Sequence, residues 1–233
     1  MKRNLHSIMP HYDKLLPKLF GLIICIAVVA CVLSALGCNR AEVRIPGAST
    51  DFPAELSGYT AKNTYAEKLL IAVPVDLRPD YYGVRVADTK WEGCKTDSFY
   101  GDQARYVIRD RAIKEFIASK LFATISDSVE PKAHDLVLHT EMRAFCSQAK
   151  GFVIVRVAGI VSIKFTLKRD DRILFSKTIE KVVTDADPEY SGSQISTIEQ
   201  AMRRTMADSL RAVLKIVMSD MDEGLRNILK NTK

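Results

Sequence analysis

The chain has 233 residues and a formal net charge of +6, from 34 basic and 28 acidic residues. The first 37 residues contain four of the basic residues and only one of the acidic ones. The rest of the chain therefore has 30 basic and 27 acidic residues. This near balance excludes the basic footprint of a nucleic-acid-binding protein. The 196 residues after position 37 suit one domain with a substantial core.

An apolar run from Leu19 to Gly37 follows a positively charged flank and ends at Cys38, so we assign residues 1–37 to an export signal. A small residue directly before this cysteine resembles the lipobox of bacterial lipoproteins, although Leu36 stands one place later than the usual leucine. The resemblance implies that Cys38 carries the lipid, a palmitate-type acyl anchor. Cys31 is an alternative acceptor, which would leave an apolar tail on the mature chain. The other alternative is an uncleaved anchor, because 19 residues at about 1.5 Å each nearly cross the bilayer core.

Residues 38–67 are expected to form a flexible linker, because proline, glycine and serine recur there without an apolar period. The domain itself is expected over residues 68–230. Its first strand is predicted at 69–73, where a continuous apolar run is typical of a strand buried on both faces near the centre of a sheet. After a long loop, apolar residues at spacings of three and four predict an amphipathic helix over roughly 102–122.

Alternation predicts three further strands, at 136–144, 155–167 and 173–183, and does not assign the inner face of the last one. In the first of them Met142 and Ala144 are expected on the same face, and Gly159 is a candidate bulge in the second. A capping-box spacing from Ser196 to Glu199 predicts the start of a long helix with an apolar stripe. The predicted fold is α+β, a two-layer domain with a mixed sheet of about four strands and two helices on one face. The sheet would be an antiparallel meander plus one crossover strand.

The chain contains no G-x-S-x-G, P-loop, G-x-G-x-x-G or H-E-x-x-H motif. We interpret His139 as a solvated or partner-facing residue rather than a general base. The acidic runs 185–189 and 220–224 lack the spacing of a calcium loop, and we interpret them as a loop and a solvated helix face. We therefore expect no catalytic residue, no metal and no cofactor, and a protein that is not an enzyme.

Apart from Cys38, two cysteines follow the signal, Cys94 and Cys146. In an oxidising compartment we expect them to form a disulfide, with two buried free thiols as the alternative. The bond would close a loop of about 50 residues and stabilise the fold by about 4 kcal/mol in the chain-entropy model.

The surface residues that we interpret as candidates for partner binding are basic strand residues and loop aromatics. An ordinary solvated face is the alternative for the basic group. The candidates are Arg156, Lys164 and Lys168 on the second meander strand, and Tyr81, Tyr82, Trp91 and Tyr100 in the long loop.

The segment from Asp135 through the strand hairpin to the helix that opens Ile198-Glu199-Gln200-Ala201 resembles the YajG-type lipoproteins of Gram-negative bacteria. More loosely, it is similar to periplasmic auxiliary lipoproteins of lipid-transport ABC systems. The resemblance implies a non-enzymatic binding or scaffold module of the cell envelope, tethered to the membrane by its N-terminal lipid, with an envelope protein or lipid as partner. The alternative that it implies is an auxiliary component of an ABC-type lipid or lipopolysaccharide transport system. Asn39 after the lipid cysteine implies the periplasmic side of the outer membrane, and the inner membrane stays open.

Overall fold

The structure is a computed structural model that describes residues 55–79, 83–86, 89–92, 103–126, 135–151, 155–186 and 195–230. By its internal contacts the chain divides into two units, Met1–Glu42 and Val43–Lys233. All the described residues belong to the second unit. The signal therefore lies outside the described residues. None of the helices within them is long and apolar enough to cross a membrane.

Eight strands and two helices are described, and their bounds are as follows. The strands are β1 (Tyr65–Ile71), β2 (Val75–Asp76), β3 (Gly83–Val86), β4 (Thr89–Glu92), β5 (Phe122–Ser126), β6 (Leu136–Lys150), β7 (Arg156–Arg169) and β8 (Arg172–Ala186). The helices are α1 (Ala104–Ser119) and α2 (Ile195–Lys230).

The main sheet is mixed. Its order is β5-β1-β6-β7-β8, and β2 also pairs with β6. Strand β1 is parallel to both β5 and β6, whereas β6, β7 and β8 form an antiparallel meander. Strands β3 and β4 make a separate antiparallel pair. The predicted α+β fold is confirmed, and so is the position of the first strand between two others in the sheet. The sheet has six strands, however, rather than about four.

Strand β5 is not evident from the sequence, because α1 ends earlier than its apolar period indicates. The helix ends at Ser119, and Lys120 takes a left-handed conformation with φ of 57° while its N–H bonds to the Ile117 carbonyl. Glycine is the usual residue at such a helix end, so a lysine gives no stop signal. The next residues then pair with β1 as a strand.

Both helices pack on one face of the sheet, which we call the inner face. One cluster of buried apolar side chains contains members of α1, α2 and the sheet. In α2 the predicted stripe is buried from Met202 to Leu225, because its spacing keeps one side of the helix on the sheet. The sheet contributes Leu138, Ile163 and Phe165, among others.

Two strands carry irregularities that alternation alone does not reveal. A register shift in β6 between Met142 and Ala144 places Met142 in the inner core and Ala144 on the opposite face, so the predicted shared face is wrong. In β8 the pairing skips Leu174, which is why the alternation there was mixed. No shift occurs at Gly159, so the candidate bulge is wrong as well.

Candidate functional site

Most of the predicted site residues lie outside the described residues. These are Cys38, its alternative Cys31, Cys94, Tyr81, Tyr82 and Tyr100. Trp91 belongs to β4, opposite Val84. The structure places Cys146 in β6, and Arg156, Lys164 and Lys168 in β7.

These four residues share the outer face, which is the sheet face turned away from the helices. Cys146 lies within β6, beyond the predicted end of that strand at residue 144, and it is 1% exposed. It belongs to a small buried cluster with Ala144, Ala158 and Ile160, which we call the outer patch. The bond between Cys146 and Cys94 stays a prediction.

The outer patch divides the three basic residues of β7 that were predicted to bind a partner. Along β7, Ala158 and Ile160 separate Arg156 from Lys164. Residues of a strand rise about 3.4 Å each, so Arg156 lies roughly 27 Å from Lys164. The basic group thus consists of one exposed arginine and a separate pair of lysines.

The charge of Lys164 is partly offset by a neighbouring carboxylate. Its Nζ donates to Glu141 on the neighbouring strand at 2.9 Å, and Arg143 also bonds to that carboxylate at 3.3 Å. The hydrogen bond from Lys164 is the main reason why the pKa of Glu141 is lowered, although partial burial acts against it. This part of the outer face is therefore a mixed-charge surface rather than a basic one.

His139 lies beside Lys168 on the same face. Burial, and then the charge of Lys168, lower the pKa of its imidazole. The ring is therefore neutral at pH 7, where it can both donate and accept hydrogen bonds.

A second set of specific contacts involves residues 55–64, which we call the strap. These residues fall within the predicted flexible linker, yet they bond to both helices. Ser57 donates its N–H and its hydroxyl to Glu115 of α1, the hydroxyl at 2.6 Å. Glu115 is 1% exposed and pairs with Arg111 one turn earlier at 3.2 Å. Linker behaviour therefore does not extend to residue 67, because the strap is docked and β1 already begins at Tyr65.

The other end of the strap is held by Asp222 of α2. Its carboxylate accepts bonds from the Lys62 N–H at 2.6 Å, from Tyr59 Oη at 2.9 Å and from Asn63 Nδ2 at 2.7 Å. Burial alone would raise the pKa of Asp222, but these bonds, led by that of Asn63, hold it below its usual value. Burial, then the bond to Asp222, raises the pKa of Tyr59 to about 12. At neutral pH the pair is a charged acceptor and a protonated donor.

This contact contradicts the interpretation of the run 220–224 as a solvated helix face. Asp222 is in fact 1% exposed. A signal was present: Leu214 and Met218, both buried, lead at spacings of four to position 222. An acid at a buried helix position needs donors, and the strap supplies them.

These carboxylates are structural acceptors and do not make a metal centre. Within the described ranges, no cluster of three or more histidine, cysteine, aspartate or glutamate side chains could hold a metal ion.

Comparisons with known proteins give structural likeness without a family assignment. No family model matches the chain, and no curated protein matches it. Protein XCC0632 from Xanthomonas campestris, of family DUF330, is 16% identical and has a TM-score of 0.45, over 74% of this chain and 97% of that one. A minor lipoprotein from Acinetobacter baumannii is 8% identical with a TM-score of 0.39, over 69% and 94%. Lipoprotein GNA1162 from Neisseria meningitidis is 10% identical with a TM-score of 0.29, over 62% and 100%.

Several of the matching structures are thus lipoproteins. TM-scores below 0.5 at these identities do not establish a shared family or function. The finer resemblance to YajG-type lipoproteins stays a prediction.

Proposed function

We propose that this protein is a membrane-tethered cell-envelope lipoprotein that acts as a non-enzymatic binding or scaffold module. Cys38 carries the lipid, and the domain docks an envelope protein or lipid on its outer face. The periplasmic side of the outer membrane is its place in this proposal, from Asn39 after the lipid cysteine.

The observation that carries the proposal is the position of Cys146. It lies in the outer patch, between Arg156 at one end of β7 and Lys164 further along. A bond from Cys146 to Cys94 would hold the aromatic segment around Cys94 against this face. Aromatic and arginine side chains are the residues that most often dominate protein interfaces. The outer face would then combine aromatic anchors, one exposed arginine and the mixed-charge surface around Glu141.

The tether is tested by Cys38→Ala. We expect this variant to lose palmitate labelling in cells and to leave the membrane fraction, because the proposed acyl acceptor is removed. Cys31→Ala is the matched control and should keep both. Undiminished labelling of Cys38→Ala would contradict the lipoprotein assignment at this residue.

The docking surface is tested by charge reversal. Crosslinking in cells should capture a partner with the wild-type protein, and Arg156→Glu combined with Lys168→Glu should reduce that capture at least fivefold. Lys215→Glu is the matched control, because Lys215 is exposed on α2, on the other side of the sheet. Equal capture by all three proteins would contradict docking on the outer face.

A transport role in an ABC-type system remains the alternative function. It would be favoured if the reversed variant captured its partner normally while lipid co-purified with the domain. The two outcomes separate a docking surface from a lipid carrier.

A further inference from the structure

The strap is a weakly packed segment that still makes specific contacts. Each of its ten residues is exposed or half-exposed. Tyr59 and Ala61 reach the core cluster but are only partly buried there. Segments with few buried apolar contacts open at lower free energy than the core does.

Burial rises abruptly where the strap ends and β1 begins. Leu69, Leu70 and Ile71 are at most 2% exposed, and β1 is paired on both sides by β5 and β6. Opening of the strap can therefore stop at β1, since unzipping further would break the centre of the sheet.

The strap is held mainly by polar bonds. Most of its donors end on two carboxylates, Glu115 and Asp222, which the helices supply. The Ala61 N–H and the Thr64 hydroxyl donate instead to the backbone carbonyls of residues 119 and 120. Glu55 also bonds to Arg211 of α2. When the strap leaves, water can reach both carboxylates and replace the lost donors. Release therefore exposes polar groups rather than a large apolar surface.

We propose that the strap is a releasable part of the membrane tether, which gives the domain two reaches. This inference rests on the proposed lipid anchor at Cys38. With the strap docked, the tether ends at Glu55; with the strap open, it ends at Tyr65. If the ten residues of the strap become fully extended, they lengthen the tether by at most about 35 Å. A pull on the anchor acts on the strap before it acts on β1, because the strap precedes β1 in the chain.

Amide hydrogen exchange on the full chain in detergent micelles tests the release. We expect amides of residues 61–63 to exchange at least tenfold faster than those of 69–71, at a rate that low denaturant does not change. Asp222→Asn should raise the strap rate at least tenfold further, and the strap should still exchange faster than β1 at a rate that low denaturant does not change. Tyr59→Phe and Asn63→Ala, which change the strap alone, should act in the same direction and guard against misfolding of Asp222→Asn.

Asp220→Asn is the matched control. Asp220 lies two residues away on α2 and pairs with Lys177, not with the strap. It should leave strap exchange unchanged. Exchange of strap and β1 at one rate, with one denaturant dependence, would overturn the proposal, and so would unchanged strap exchange in Asp222→Asn.

The two reaches are tested with the acylated chain in phospholipid vesicles. Energy transfer from a dye at position 215 to an acceptor in the bilayer should be lower for Asp222→Asn than for Asp220→Asn. Equal transfer with altered strap exchange would overturn the change in reach. Because the exchange measurement needs no lipid, failure of acylation at Cys38 would refute the proposed function while leaving the strap result standing.

Discussion

Gly159 allows α2 to approach the sheet more closely than any other residue type would at that position. A Cβ there would collide with the backbone of Thr205 and Met206. Because the helix lies so close, the Ser209 hydroxyl donates to the Gly159 carbonyl at 2.7 Å and accepts from the Val183 N–H at 3.1 Å. One buried side chain of α2 thereby joins β7 to β8.

Gly159→Ala should lower the free energy of unfolding by about 1–3 kcal/mol, because the backbone of α2 cannot yield as a flexible side chain does. Gly224→Ala is the matched control, since a Cβ at Gly224 meets nothing within 4 Å. That change should raise the free energy of unfolding by up to about 1 kcal/mol through helix propensity. Urea unfolding of the full chain measures both, and equal stability of Gly159→Ala and wild type would contradict the close approach.

At the scale of elements, α2 has two functions in the fold. Its apolar stripe covers the inner face of the sheet, and near its end Asp222 holds the strap. Tyr65 Oη also donates to the Asp222 carbonyl at 2.9 Å, so the start of β1 is tied to the same helical turn. The C-terminal part of α2 thus joins the strap, β1 and the core.

This contact predicts a specific dependence of stability on pH. The pKa of Asp222 is lower in the folded protein than the value of about 3.9 for an unfolded aspartate. Its contribution is therefore fully present above about pH 4 and is lost as pH falls through the lower folded value.

We expect Asp222→Asn to lower the free energy of unfolding by about 2 kcal/mol at pH 7, as for hydrogen bonds to a charged group. The difference from wild type should be the same at pH 6 and should shrink below about pH 4. Urea unfolding across this pH range measures it, with Asp220→Asn as the control. A difference that grows as the solution is acidified would contradict the assignment.

At the scale of the whole molecule, the strap and the outer face lie on opposite sides of the sheet. The strap bonds to Glu115, Arg211 and Asp222 on the helices, whereas Arg156, Lys164 and Lys168 belong to the face turned away from them. In the proposed function, the tether and the partner therefore do not compete for one surface. Release of the strap would change the reach of the domain without altering the outer face.

Local periodicity was sufficient for the elements whose faces are set by their own residues. The alternation of β7 and the stripe of α2 were predicted correctly, because a period of two or about 3.6 follows from backbone geometry. The apolar run at Leu69–Ile71 likewise indicated a strand buried on both faces. The α+β class followed from the order of these elements.

Sequence alone also determined the apolar run that ends at Cys38, and with it the hypothesis of a tethered protein, because that pattern is local and compositional. Tertiary structure decided the rest. The shift after Met142, the left-handed Lys120, β5, and the burial of Asp222 by strap donors depend on partners distant in the chain. A single residue type at a single position does not encode such partners, since the same aspartate is solvated on a free helix and an acceptor beneath a docked segment.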